Sequence, residues 1–254
     1  MHPILIKIGP ITIYSYGFFI ASAFLLALAV TSREARRRDL NVSLVSDLGF
    51  YIIVSAIVGS RLLYVVIKWS YFKKHLLESL MIWKGGLVFV GGAILAMGVA
   101  VIFLKKKGED PWIWADCMAP AIAIGQFVGR IGCLMAGCCY GRYCTMPWAI
   151  TFTDPHSLAP LNVPLHPTEI YHSLAGLITF FILWLTRDRF KKKGQLFGLL
   201  MVLYGIGRFV IEFYRGDFRP MWGPLSMTQW MAAAISVCGL LLILVRGRQS
   251  HDNR

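Results

Sequence analysis

Three arginines, Arg61, Arg130 and Arg208, lie inside long apolar runs rather than at their ends. A guanidinium at the centre of a membrane-spanning helix costs about 2.5–3.5 kcal/mol, and three unpaired ones roughly 7–10 kcal/mol. That sum is comparable to the stability of a whole domain. Such groups must face a cavity, a partner charge or a ligand. A structural ion pair, or snorkelling to the interface, accounts for any one of them more easily than for all three. A planar guanidinium fork matches the oxygens of a phosphate diester, so the trio points to an anionic lipid headgroup.

The run Tyr204-Gly-Ile-Gly-Arg208-Phe-Val-Ile-Glu212-Phe-Tyr-Arg215 sharpens this. Its polar residues are spaced four, four and three, which places them on one helical face. One carboxylate between two guanidiniums leaves a positive surplus, the mark of an anion site rather than of a closed ion pair. Arg130 sits between Gly129 and Gly132 in a stretch where small residues recur from Gly125 to Gly141. Small residues let membrane helices approach closely, and glycines let backbone approach a ligand.

Cys133, Cys138, Cys139 and Cys144 follow as C-x4-C-C-x4-C. A disulfide pinning the following loop, a reactive thiolate beside the arginines, and inert small thiols all fit this spacing. Adjacent cysteines without a C-x2-C pair speak against a metal, so none is expected, and no cofactor is expected either. His166 and His172 flank the start of a later apolar run. Either could act as a base near neutral pH, or anchor a span end at the interface.

These residues are positioned by apolar spans. The chain has 254 residues, 57% of them hydrophobic and only 15% charged, against about 25% charged in soluble domains. Seven runs at about 12–32, 45–68, 86–104, 112–136, 167–186, 195–214 and 227–245 are long enough to cross a hydrocarbon core. Backbone in lipid must satisfy itself, so the fold class is all-α, a polytopic membrane protein expected as one domain over residues 1–254. The N-terminal run is followed, not preceded, by its basic cluster and is too long for a signal peptide. Basic loops at 33–38, 105–107 and 187–193 and the tail from Arg246 belong in the cytoplasm, although the opposite loop 68–84 also holds four lysines. The N-terminus is then outside, the C-terminus cytoplasmic, and the proline-punctuated loop at about 137–166 external. The net charge of +13 is spent on these loops. Nucleic acid is not expected as a partner, because the basic clusters lack interleaved aromatics.

Gly129-Arg130-Ile131-Gly132, followed by Gly141, resembles the signature of the bacterial prolipoprotein diacylglyceryl transferases. Further pieces match in order: Tyr14-Ser-Tyr16-Gly17, Gly59-Ser-Arg61-Leu-Leu-Tyr64, Gly85-Gly86-Leu87, Gly91-Gly92, Asp116 with Ala119-Pro120, Pro147-Trp148-Ala149, His166-Pro167-Thr168 with Tyr171, and Tyr204 through Arg215. The resemblance implies a multi-pass enzyme of the bacterial inner membrane. It would move the diacylglyceryl group of phosphatidylglycerol to the thiol of a lipobox cysteine in a precursor lipoprotein, releasing glycerol phosphate. Arg130, Arg208 and His166 would then be catalytic. Tyr16, Arg61, Gly129, Gly132, Tyr204, Glu212 and Arg215 would bind substrate. The chain departs from the family pattern where Cys133 and Ala136 replace asparagines, Cys138 a glutamate and Val90 a histidine. A transporter or binding protein for an anionic lipid or solute is the alternative that the arginines alone leave open.

Overall fold

The protein is described by a computed structural model covering residues 1–9, 11–190 and 192–248. A hairpin of β1 (Ile4–Ile8) and β2 (Ile11–Tyr14) leads into helix α1 (Ser15–Arg37). Helices α2 (Ser43–Ile67), α3 (Trp69–Phe72), α4 (Phe89–Lys106) and α5 (Pro111–Ala136) follow. The segment after α5 carries strands β3 (Ile150–Thr151) and β4 (Pro164–Leu165). Helices α6 (Thr168–Thr186) and α7 (Gln195–Glu212), a hairpin of β5 (Met221–Trp222) and β6 (Leu225–Ser226), and helix α8 (Met227–Arg248) complete the order. Among the described residues, seven helices are long and apolar enough to cross a membrane, and they coincide with the seven expected runs. The expected first span differs at both ends. Residues 12–14 belong to β2, because isoleucines alternate across Ile4–Ile8 and Ile11–Ile13 with period two and Gly9 turns at φ 56°. At its other end the helix continues into Arg36 and Arg37, where cations favour a helix C-terminus.

The chain divides into two compact units, one of Ala35–Trp114, the other of Met1–Glu34 with Ala115–Arg254. In the first, α2 and α4 pack through glycines. A Cβ on Gly59 would lie 2.7 Å from the Leu95 Cβ, so only glycine permits this approach. In the second, Ala119 and Ala123 of α5 meet Leu183 of α6 and Leu196 and Leu200 of α7. Gly205 and Gly239 let α7 and α8 touch. The expected loop at 137–166 is ordered around its own small core of Phe152, Ala159 and Leu165, with β3 antiparallel to β4.

Two polar contacts fix the helix ends bearing the basic loops. Arg187, stacked 3.8 Å over Trp184, donates to the fully buried Glu34 at 2.6 Å and ties α1 to α6. The Asp116 carboxylate of α5 accepts from the backbone N–H groups of Gly194 (2.7 Å) and Phe197 (2.8 Å) at the start of α7. A neighbouring helix thus caps α7, whose first N–H groups have no partners of their own. Asp116→Ala is expected to cost about 2–3 kcal/mol, the scale of hydrogen bonds to a charged group. Asp116→Asn, which keeps one acceptor, should retain part of that. Thermal unfolding in detergent micelles checks both.

Candidate active site

The far end of α5 is where the site begins. The helix stops at Ala136 because Gly137 adopts φ 71°. Cys138 N–H then donates to Cys133 O at 3.1 Å, and Gly137 N–H to Leu134 O at 3.3 Å. This is the Schellman pair of bonds, which folds the chain back over the last helical turn. Cys138 is thereby returned to Cys133. Cys139, also at φ 71°, turns its side chain to the same place, a conformation uncommon outside glycine and a mark of local strain. The three thiol sulfurs lie within 4.8 Å of one another. Thr168 at the start of α6 holds the turn by donating to Cys139 O at 2.7 Å. All six cysteines are free, so the four-cysteine segment is not pinned by a disulfide. Cys144 stands apart, buried, its sulfur accepting from Met146 N–H.

The arginine stripe of α7 faces this cluster's helix. Arg208 pairs with Glu212 at 3.2 Å and donates to His172 Nε2 at 2.7 Å. A guanidinium has no acceptor, so the imidazole nitrogen must accept, which puts the ring proton on Nδ1. Glu212 also takes Ser226 Oγ at 3.1 Å and approaches Arg219 at 3.7 Å. Arg215 lies beyond the helix end and pairs with Asp217 rather than Glu212, through two parallel bonds of 2.8 and 2.7 Å. Its remaining Nη1 is buried without a hydrogen-bond partner. Burial alone would lower the Arg215 pKa; the Asp217 bond and the neighbouring Cys139 outweigh it and leave it raised. Hydrogen bonds from Cys133 and Cys138 hold the Cys139 thiol well below its ordinary value against burial, with Arg215 and Arg130 acting in the same direction.

Arg130 makes no ion pair among the described residues, yet it lies close enough to couple electrostatically to Cys139, Glu169, His172 and Arg208. Glu169 is fully buried with both carboxylate oxygens unpartnered. The segment after the cysteines is laced to both neighbours. Gly141 N–H donates to His166 O, Arg142 N–H to Tyr214 O, and Gly216 N–H to Tyr140 O. Any Cβ on Gly141 would overlap His166 and Tyr214, so a glycine is required there. Beside it, a cavity of about 300 Å³ is lined by Arg142, Glu212, Arg215, Asp217 and Arg219 among others.

The family model described as Prolipoprotein diacylglyceryl transferase matches residues 3–245. The chain belongs to that family. A phosphatidylglycerol–prolipoprotein diacylglyceryl transferase of Clostridium tetani is 34% identical over 246 residues, covering 95% of this chain and 96% of the relative. Enzymes of the same name from Trichormus variabilis and Geobacillus kaustophilus are each 35% identical, covering 98% and 96% of this chain and 92% of their own lengths.

Within this prolipoprotein diacylglyceryl transferase family member, the expected site residues separate. Arg130, Arg208, Glu212 and Arg215 share the second unit with Tyr16 and Tyr204. Arg61 does other work. Its guanidinium donates to Ser79 O (2.7 Å), Glu78 O (2.5 Å) and Gly85 O (2.6 Å), stapling the loop after α3, so its fork is consumed by carbonyls rather than offered to a phosphate. Gly129 and Gly132 face α1, where a Cβ on Gly132 would lie 2.9 Å from Phe19 Cβ, so Gly132 serves helix packing, while one on Gly129 would lie 3.6 Å from Ile20 Cδ1. His166 contacts Tyr171 Oη at 3.2 Å and the Tyr214 ring, whereas His172 is the histidine on Arg208. Asp217, Arg219 and Arg142 were absent from the sequence expectation. The charged run Arg215-Gly-Asp217-Phe-Arg219 was the available signal for two of them.

Removing Glu212 alone would leave Arg208 buried without its counter-charge. Glu212→Ala is expected to destabilise the protein by about 3–5 kcal/mol, and an Arg208→Met/Glu212→Met double variant to recover part of that. A double-mutant cycle by thermal unfolding in detergent checks the pair.

Proposed function

We propose that this protein transfers the diacylglyceryl group of phosphatidylglycerol to the thiol of a lipobox cysteine in a precursor lipoprotein. The acceptor thiol gives up its proton, and its sulfur bonds to the glyceryl carbon that bore the phosphate. The carbon–oxygen bond breaks, and its electron pair leaves on glycerol phosphate. The phosphate passes from a monoanionic diester to a monoester with a second charge, so groups that bind the added charge accelerate the step.

The observation that carries this assignment is the unspent guanidinium capacity beside the cysteine turn. Arg130 has no ion pair among the described residues, and Arg215 keeps a buried N–H without an acceptor. We assign Arg130, Arg208 and Arg215 to the phosphate, with Glu212 and Asp217 holding the last two in register and Tyr16 and Tyr204 beside them. His166, linked to Tyr171, is the candidate for handling the acceptor's proton at the loop. The names of the relatives, which specify phosphatidylglycerol and prolipoprotein, support both substrates. The distribution of basic loops supports an orientation with this end of the bundle on the outer side of a bacterial inner membrane.

Mass spectrometry of a lipobox peptide incubated with the purified protein and phosphatidylglycerol should show the added diacylglyceryl mass. A peptide with serine for cysteine should show none. Arg130→Ala and Arg208→Ala should each lower the rate by roughly 10²–10³-fold, the cost of losing one donor to developing charge. Unchanged rates in both would remove the arginines from the mechanism.

A further inference from the structure

The transfer as written needs one thiol, the acceptor's own, yet the protein gathers three more beside the phosphate site. Cys133, Cys138 and Cys139 converge within 4.8 Å through the helix cap and a strained left-handed cysteine, held by the Thr168 bond. Inert packing does not call for that strain. A disulfide would use two of the thiols and leave the third unexplained. Three sulfurs around one point are the donor set of a soft, tetrahedral ion. Zinc bound by sulfur at about 2.3 Å has three protein ligands and one open position in its catalytic sites. Tetrahedral geometry then sets the sulfurs about 3.8 Å apart for that bond length, a contraction within reach of small side-chain rotations. The adjacency of Cys138 and Cys139, which argues against a metal in the linear sequence, is overcome because the left-handed turn at Cys139 puts both sulfurs on one side.

We propose that Cys133, Cys138 and Cys139 bind a zinc ion whose fourth position takes the acceptor cysteine as a thiolate. The fourth ligand rests on the transferase assignment; the ion site itself does not. A coordinating thiol is deprotonated outright, so the ion supplies the nucleophile that the reaction requires. Its proton passes to His166, the group assigned to it in the transfer, whose backbone oxygen accepts from the Gly141 N–H just beyond the cysteines. The sulfur then forms its bond to the glyceryl carbon as the carbon–oxygen bond breaks toward phosphate, and the zinc keeps its oxidation state.

The full-length protein, purified in detergent without chelator, is expected to contain stoichiometric zinc by elemental mass spectrometry. Replacement by Co²⁺ should give the sulfur-to-cobalt charge-transfer absorption, perturbed by a lipobox peptide but not by its serine counterpart. Cys133→Ser, Cys138→Ser and Cys139→Ser should each bring the metal content to background, while Cys238→Ser keeps it. A protein that takes up neither zinc nor cobalt on titration, or Cys139→Ser protein that retains the metal, overturns the proposal. The cobalt spectrum of the unaltered protein decides independently of how any variant folds. Diacylglyceryl transfer at an unchanged rate after chelation would overturn the zinc role and leave the transferase intact. A thiolate-bound metal with no lipidated peptide would overturn the transferase assignment and leave the ion site standing.

Discussion

A guanidinium buried among apolar helices has to be answered by acceptors, and for Arg208 the answer converges on Glu212. Its carboxylate takes Arg208 from its own helix, Ser226 from the hairpin before α8, and the approach of Arg219 from the turn between them. One acidic side chain therefore fixes the end of α7, the 213–220 turn and the start of α8. The cost of leaving charge unpaired in low dielectric makes this arrangement hard to deform. His172 adds a bond from α6, so Arg208 is held from both sides in a single orientation.

The two ends of this unit use polar groups differently. At the end bearing the basic loops, Glu34 pairs with Arg187 and Asp116 caps α7, with Arg187 Nε left buried without a hydrogen-bond partner. At the other end, among the described residues, Arg130 has no ion pair, Arg215 keeps a buried N–H without an acceptor, and neither carboxylate oxygen of Glu169 has a hydrogen-bond partner. Buried polar groups in folded proteins are nearly always satisfied, and the exceptions gather where a ligand completes them.

Much of this was legible in the sequence because the membrane restricts the choices. Apolar runs of sufficient length have to be helices, and all seven are. Arg130 and Arg208 stood out by the cost of their position. Arg61 stood out by the same argument and proved to be a staple, because the carbonyls that satisfy it come from residues 17 to 25 positions away and carry no sequence signal of their own. Of the two histidines that the sequence left equal, His172 is the one on Arg208, because α6 begins at Thr168 and carries it inward while His166 precedes the helix. The thiol cluster was readable in part. A helix ending before Gly137 implies a Schellman cap, and that cap returns the residue after the glycine to the one four before it. The left-handed turn at Cys139 was not readable, since non-glycine residues seldom adopt it.

The site's surplus of guanidinium also fits the direction of the reaction. A group that met phosphatidylglycerol and its departing monoester equally well would tighten binding without speeding the step. Arg208 is largely compensated by Glu212, and Arg215 by its fork on Asp217, which together match a single negative charge poorly if all donors are in use. Under the proposed assignment, the buried Nη1 of Arg215 and Arg130, which has no ion pair among the described residues, would be the donors left for charge that appears only as the carbon–oxygen bond opens. Holding them fixed by Asp217 and by the glycine-rich end of α5 avoids reorganisation at that moment, which is where preorganised donors gain most over water. On that assignment, the acidic partners would position the arginines for the transition state while leaving part of their capacity unspent in the ground state.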